Sequence, residues 1–154
     1  MQHNHEIGRL LGTLHRNARN YFHREFASFG LVGGVHSFLV VLYHQDGLSQ
    51  NELSRILNFD KAHTTRAIQK LMDLGFIERK RDDVDHRCYR IYLTEKARAH
   101  EGEVKEIIYT WTNAISSGLS DEEMEILIGL LDKMTRNVQG LVNSKPQRSV
   151  DSSF

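Results

Sequence analysis

The 154-residue chain holds one cysteine, one proline and no net charge. A lone Cys88 cannot close an intrachain disulfide, so a reducing, cytoplasmic setting is expected. With 40% apolar and 26% charged residues, the composition is that of a soluble, helix-rich globular protein and excludes disordered or collagen-like chains. The longest apolar run, Phe38 to Tyr43, falls far short of the roughly 20 residues that cross a bilayer, so no membrane partner is expected. Residues 1–6 lack the basic and apolar regions of a secretory leader. Twenty basic residues against twenty acidic ones argue against a generic polyanion binder. Charge is nonetheless uneven: residues 1–59 carry +1, residues 60–96 carry +2 and residues 97–154 carry −3. Any nucleic acid is therefore expected at the middle third.

Apolar residues from Ile7 to Phe29 recur at helical spacing, which predicts a long amphipathic helix over 5–28 that ends at Gly30. Val35, Phe38, Leu39 and Leu42 predict a second helix. Ser49 with Glu52 forms a capping box, and Leu53, Ile56 and Leu57 supply the buried face of a two-turn helix. Asp60 opens a fourth helix with Thr64, Ile68, Leu71 and Met72 in one stripe, stopped by Gly75-Phe76. The period then changes to two, predicting a β-hairpin of residues 77–81 and 88–93, with Cys88 as a small strand residue. Thr94-Glu95 caps another long helix, and Ser120 with Glu123 opens a last one. There Met124, Leu127, Leu131, Met134, Val138 and Leu141 keep heptad spacing, the seam of a helix that packs on another helix.

Three short helices followed by a hairpin match a winged helix-turn-helix, with the helix after Asp60 as the recognition helix. With Thr64 at the centre of its buried side, Ala62, Arg66, Gln69 and Asp73 fall opposite, flanked by His63, Thr65 and Lys70. Arg66, Gln69 and Thr65 have the chemistry for base edges: Arg for guanine, Gln for adenine, a Thr methyl for thymine. A solvated helix face carries the same residue types, so the helix alone leaves both readings open.

The surrounding residues include Asp46-Gly47-Leu48-Ser49-Gln50-Asn51-Glu52-Leu53, Asp60-Lys61 with Thr64-Thr65-Arg66, Leu74-Gly75-Phe76-Ile77-Glu78-Arg79, and Asp82, Asp85 and Arg87 leading to Tyr92-Leu93-Thr94-Glu95. In these motifs the chain resembles the MarR family of transcriptional regulators, and the resemblance runs from Leu31 through Ala97. It implies a mainly α fold with a small β-hairpin wing (α+β). Residues 1–154 would form a single domain, with the winged DNA-binding part at 31–96, dimerisation helices at 5–29 and 97–142, and a flexible tail at 143–154. It further implies a homodimer on a pseudo-palindromic double-stranded DNA operator, acting as a repressor. Arg87, held by Asp85, would enter the minor groove; the alternative is that the two only brace a turn. The expected DNA contacts are Ser49, Gln50, Lys61, Ala62, His63, Thr65, Arg66, Gln69, Lys70, Arg81, Asp85 and Arg87.

Val32-Gly33-Gly34-Val35-His36 departs from the family's usual second-helix start, and the two glycines loosen that junction. Members of the family it resembles often bind phenolic or other small lipophilic anions between the dimerisation helices and the winged module. His15, Arg16, His36 and Tyr109 are the candidates for that effector here, against a purely structural role. Nine histidines raise a metal-responsive alternative. Their spacing does not favour it: His3 and His5 fall on a terminus expected to fray, and no pair brackets a carboxylate at i, i+4. No metal ligand set or cofactor is therefore expected. Neither a nucleophile with its base nor a phosphate loop after a strand is present, so an enzyme is not expected. A protein-binding winged module remains the other alternative.

Overall fold

The computed structural model describes residues 2–143. Packing divides the chain into a unit of residues 1–112 and a second of residues 113–154. The first opens with α1 (Gln2–Phe26), which begins before the expected start and takes in His3 and His5. Those two are therefore helical and not frayed. A 3-10 turn (Ala27–Phe29) follows, and Gly30, at φ 71°, stops it. The C-terminal end of α1 sends Phe26 into the core, with Phe22 packed against it. Its N-terminal half leaves Ile7, Leu10, Leu11 and Leu14 exposed.

Helix α2 (His36–His44) buries Phe38, Leu39 and Leu42. Next comes β1 (Leu48–Ser49), a strand the periodicity does not reveal, and then α3 (Gln50–Leu57). The capping box at its start is formed in full: Glu52 N–H donates to Ser49 Oγ at 3.2 Å, and Ser49 N–H to the Glu52 carboxylate at 2.8 Å. Leu53 is fully buried, whereas Ile56, expected beside it, is 49% exposed. The buried stripe of so short a helix runs through Leu53 and the half-buried Leu57, one turn apart, and leaves Ile56 on its flank.

Helix α4 (Lys61–Asp73) is capped by Asp60, whose carboxylate accepts His63 N–H at 2.7 Å. Thr64, Ala67, Ile68 and Leu71 form its buried face. Its end wraps back as expected: with Gly75 at φ 74°, Gly75 N–H donates to the Met72 carbonyl and Phe76 N–H to that of Leu71, both at 2.9 Å. Phe76 is thereby driven into the core.

The hairpin is β2 (Ile77–Arg81) and β3 (Tyr89–Leu93), and the antiparallel sheet has the order β1-β3-β2. Leu48 pairs with Ile91, and Ile77 with Leu93. Cys88 is not a strand residue. Its N–H donates to the Asp85 carbonyl at 2.9 Å while its own carbonyl accepts Asp82 N–H at 3.0 Å, which closes the wing loop one residue before the strand.

The helix expected after Thr94 is two: α5 (Glu95–Ala99) and α6 (Glu101–Ser116), parted at His100. The break seats the His100 ring against Phe29 and Phe76, at centroid distances of 5.3 and 6.0 Å. In the second unit, α7 (Asp121–Asn143) opens on its expected capping box, with Glu123 N–H on Ser120 Oγ and Ser120 N–H on the Glu123 carboxylate. It includes Asn143, the first residue of the expected tail; residues 144–154 lie outside the described residues. Along it Leu127, Leu131 and Val138 are 38%, 40% and 48% exposed.

Leu53→Ala should lower stability by about 2–5 kcal/mol, because it empties a sealed position, whereas Ile56→Ala should stay within about 0.5 kcal/mol. Urea denaturation of the two variants checks this; equal losses would put Ile56 back in the core.

Candidate nucleic-acid interface

Burial of Thr64, Ala67, Ile68 and Leu71 turns the opposite side of α4 outward, so Lys61, Ala62, Thr65, Arg66 and Gln69 are all exposed. No acidic side chain interrupts this face before Asp73. Gln69 Nε2 donates to the Asp73 carboxylate at 2.8 Å. At the first position of α3, Gln50 Nε2 donates to Thr65 Oγ at 2.6 Å, which joins the N-terminal turns of the two helices. Ser49 is the cap of α3, and its hydroxyl oxygen is already engaged.

Two expected contacts face elsewhere. The half-buried His63 ring packs against Phe59 at a centroid distance of 4.2 Å, tilted by 34°. Lys70 is also half-buried, and its Nζ donates to the Val32 carbonyl at 3.2 Å. Both therefore tie α4 to the body of the unit. Facing outward along the helix is decided by what precedes it in the chain, and Phe59 captures His63 from just before the Asp60 cap.

In the wing, Arg79 and Arg81 lie over the Tyr89 ring at 4.9 and 5.9 Å, which holds both guanidinia along the strands. Arg87 projects with its side chain 92% exposed, and its Nε meets Asp85 Oδ1 at 3.3 Å. The same carboxylate accepts Arg87 N–H at 3.1 Å, and this backbone bond leads the causes that hold Asp85 below the usual carboxylate range. Behind the tip, Asp82 Oδ1 accepts the N–H groups of Val84 and Asp85 at 2.8 and 3.1 Å, and Oδ2 is met by Arg90 Nε. These bonds hold the Asp82 carboxyl down at about 2. Arg90 also donates to the Gly47 carbonyl at 2.9 Å and lies 3.7 Å from Glu52. Alternation along β3 shows that Arg90 shares a face with Cys88 and Tyr92, but not that it reaches β1 and α3.

A cleft of about 720 Å³ lies beside α4. His15, Arg19 and His23 of α1, Gly33, Gly34 and His36 at the start of α2, and Phe59 and His63 contribute to its walls, with no carboxylate among them. His36 is held between the Phe22 and Phe26 rings, each at 4.6 Å, and burial pushes its imidazole down to about 4, so the ring is neutral. His36 Nδ1 and His63 Nε2 are both sealed from solvent without a hydrogen-bond partner. Of the four expected effector residues, His15 and His36 are brought together here. Arg16 instead donates to Thr13 Oγ, and Tyr109 lines a separate groove with Val40, Tyr43 and Lys105. Arg19 and His23 were missed; they lie one and two turns after His15 on the same side of α1, a spacing visible in the sequence. Among the described residues no three His, Cys, Asp or Glu side chains converge as a metal site, and no helix is long and apolar enough to cross a membrane.

A family profile described as the MarR family matches residues 36–89. The HTH-type transcriptional regulator BilQ of Clostridium symbiosum is 30% identical over 110 residues, covering 71% of this chain and 76% of that one. A MarR transcriptional regulator from Methanosarcina mazei Go1 superposes with a TM-score of 0.76 at 35% identity, covering 89% of this chain and 99% of that one. The chain belongs to the MarR family. It is thus a DNA-binding transcriptional regulator of the winged helix-turn-helix type and not an enzyme. A MarR-family regulator from Listeria monocytogenes, complexed with a 26mer DNA, shares the fold with a TM-score of 0.78 at 24% identity, covering 86% of this chain and 88% of that one.

In this MarR-family wing, Asp82 titrates lower folded than unfolded. Its contribution to stability is therefore complete above about pH 4 and is lost as the pH falls towards 2. Asp82→Asn should flatten that part of the acid unfolding curve and bring the variant and wild type together near pH 2. A constant gap down to pH 2 would show that the carboxylate's charge is not what holds the loop.

Proposed function

We propose that this regulator binds a pseudo-palindromic operator as a homodimer and acts as a repressor that a small aromatic anion releases. The DNA reading is carried by the outer face of α4, where Lys61, Thr65, Arg66 and Gln69 are exposed around the small Ala62. A helix with small and basic groups at its N-terminal end enters a major groove without steric hindrance. Arg87, exposed and oriented by Asp85, suits the adjacent minor groove, with Arg81 beside the phosphates. Ser49 and Gln50 extend the same surface from α3.

Arg66→Ala and Arg87→Ala should each weaken operator binding by roughly 1–3 kcal/mol. The first should relax preference at particular base pairs, and the second should matter most at A·T-rich flanks. Titrations of a duplex taken from upstream of the gene, at two salt concentrations, check this against random DNA. Equal losses on both duplexes for Arg66→Ala would reassign it to phosphate contact, and binding insensitive to salt would point to a protein-binding module instead.

Dimerisation is supported by the apolar residues left exposed on α1 and, separately, on α7. Light scattering at micromolar concentration should give twice the 17.8 kDa chain mass. A monomer that still binds the operator would contradict the homodimer.

The effector reading is supported by the cleft: its walls carry Arg19 and three histidines besides His36, no carboxylate, and the aromatic faces of Phe22 and Phe59. An aromatic body with one negative charge matches that lining. Because His63 belongs to both α4 and the cleft wall, an occupant touches the recognition helix. Release follows only if that occupant prefers one placement of α4 over another. Salicylate should dissociate the protein–operator complex, and His36→Ala should weaken that response. Release by zinc alone would favour the metal-responsive alternative.

A further inference from the structure

The Gln50–Thr65 pair carries a consequence for base preference that residue types alone do not show. A threonine hydroxyl has one proton, and Thr65 spends it on the Lys61 carbonyl, at 2.8 Å, within its own helix. Its oxygen can then only accept. The Gln50 atom 2.6 Å away must therefore be the amide nitrogen, which fixes an orientation that a free glutamine would leave undecided. With the nitrogen held, the carbonyl oxygen Oε1 is the end of the amide left for a partner. We propose that Gln50 and Thr65 form one base-reading unit, in which the Thr65 hydroxyl sets the Gln50 amide so that its oxygen faces the major-groove edge of a base as an acceptor.

This rests on the DNA reading above and assigns it a preference. In the major groove adenine and cytosine present amino donors, whereas guanine O6 and thymine O4 are acceptors. An oriented carbonyl oxygen accepts from either amino group and faces electrostatic repulsion from the other two bases. Thr65 is thereby a positioning residue that acts through Gln50. This differs from the direct reading of Thr65, in which its methyl touches thymine, and the two make opposite demands on the side chain. Valine keeps the methyl and loses the hydroxyl, while serine does the reverse.

The test is selection from a randomised duplex pool by the full-length protein and its Thr65→Val, Thr65→Ser and Gln50→Leu variants. Wild type should favour adenine or cytosine over guanine and thymine at one position per half-site, by about tenfold. Thr65→Ser should keep that preference. Thr65→Val and Gln50→Leu should lose it at that position alone, with thermal melting of Thr65→Val unchanged because that site is exposed. Thr65→Val selecting as wild type does everywhere would overturn the unit, and so would loss in Thr65→Ser with retention in Thr65→Val, which would assign the methyl contact. A pool that wild type fails to enrich at all would overturn the DNA reading itself, a result distinct from either.

Discussion

The guanidinium of Arg90 is the junction on which the wing and the helix-turn-helix depend. It meets Asp82 at the base of the wing loop, the Gly47 carbonyl ahead of β1, and Glu52 in the first turn of α3. Asp82 is 7% exposed, and a carboxylate so placed is tolerated only with its oxygens satisfied. Two backbone N–H groups and one guanidinium do so. The wing tip, the sheet edge and the helix-turn-helix are therefore held by a single connected set of charge-assisted bonds. In the proposed DNA reading, their mutual positions decide whether Arg87 and Arg66 engage neighbouring grooves of one duplex. A second carboxylate serves the other end of the sheet: Asp46 accepts Leu93 N–H at 3.0 Å and is paired with Arg98 of α5.

The cleft and the reading face meet in one element. On α4 Lys61, Thr65, Arg66 and Gln69 are exposed, while His63 and Lys70 are drawn inward by Phe59 and Val32. The helix is held on one side by a packed imidazole and a long lysine, and that side borders an open volume rather than solid core. The neutral His36 completes that wall, caged by two phenylalanine rings that strip its hydration.

What could be read from the chain was what is settled within a few residues. The caps at Ser49, Asp60, Thr94 and Ser120 are each completed three residues on, and the turn at Gly75-Phe76 closes over one helical turn. The buried face of α4 follows from its period, with Ala67 overlooked only because it is small. What escaped needed partners far along the chain. The two-residue β1 exists through pairing with Arg90 and Ile91, some forty positions away, and leaves no period of its own. The break at His100 answers to Phe29 and Phe76, which no local pattern brings near. His63 and the outward residues of α4 are alike in composition and position; only the ring of Phe59 separates them.

Cys88 stands exposed in the wing loop, 3.5 Å from an Asp85 oxygen. That carboxylate accepts the thiol proton and repels a thiolate, so the group is pushed up from its ordinary range. Peroxides and disulfides react with the thiolate, and here its formation is opposed by the same residue that aims Arg87. The wing therefore faces solvent with a sulfur whose ionisation its own electrostatics oppose, and the residue that orients the exposed arginine is also the one that keeps the neighbouring thiol protonated.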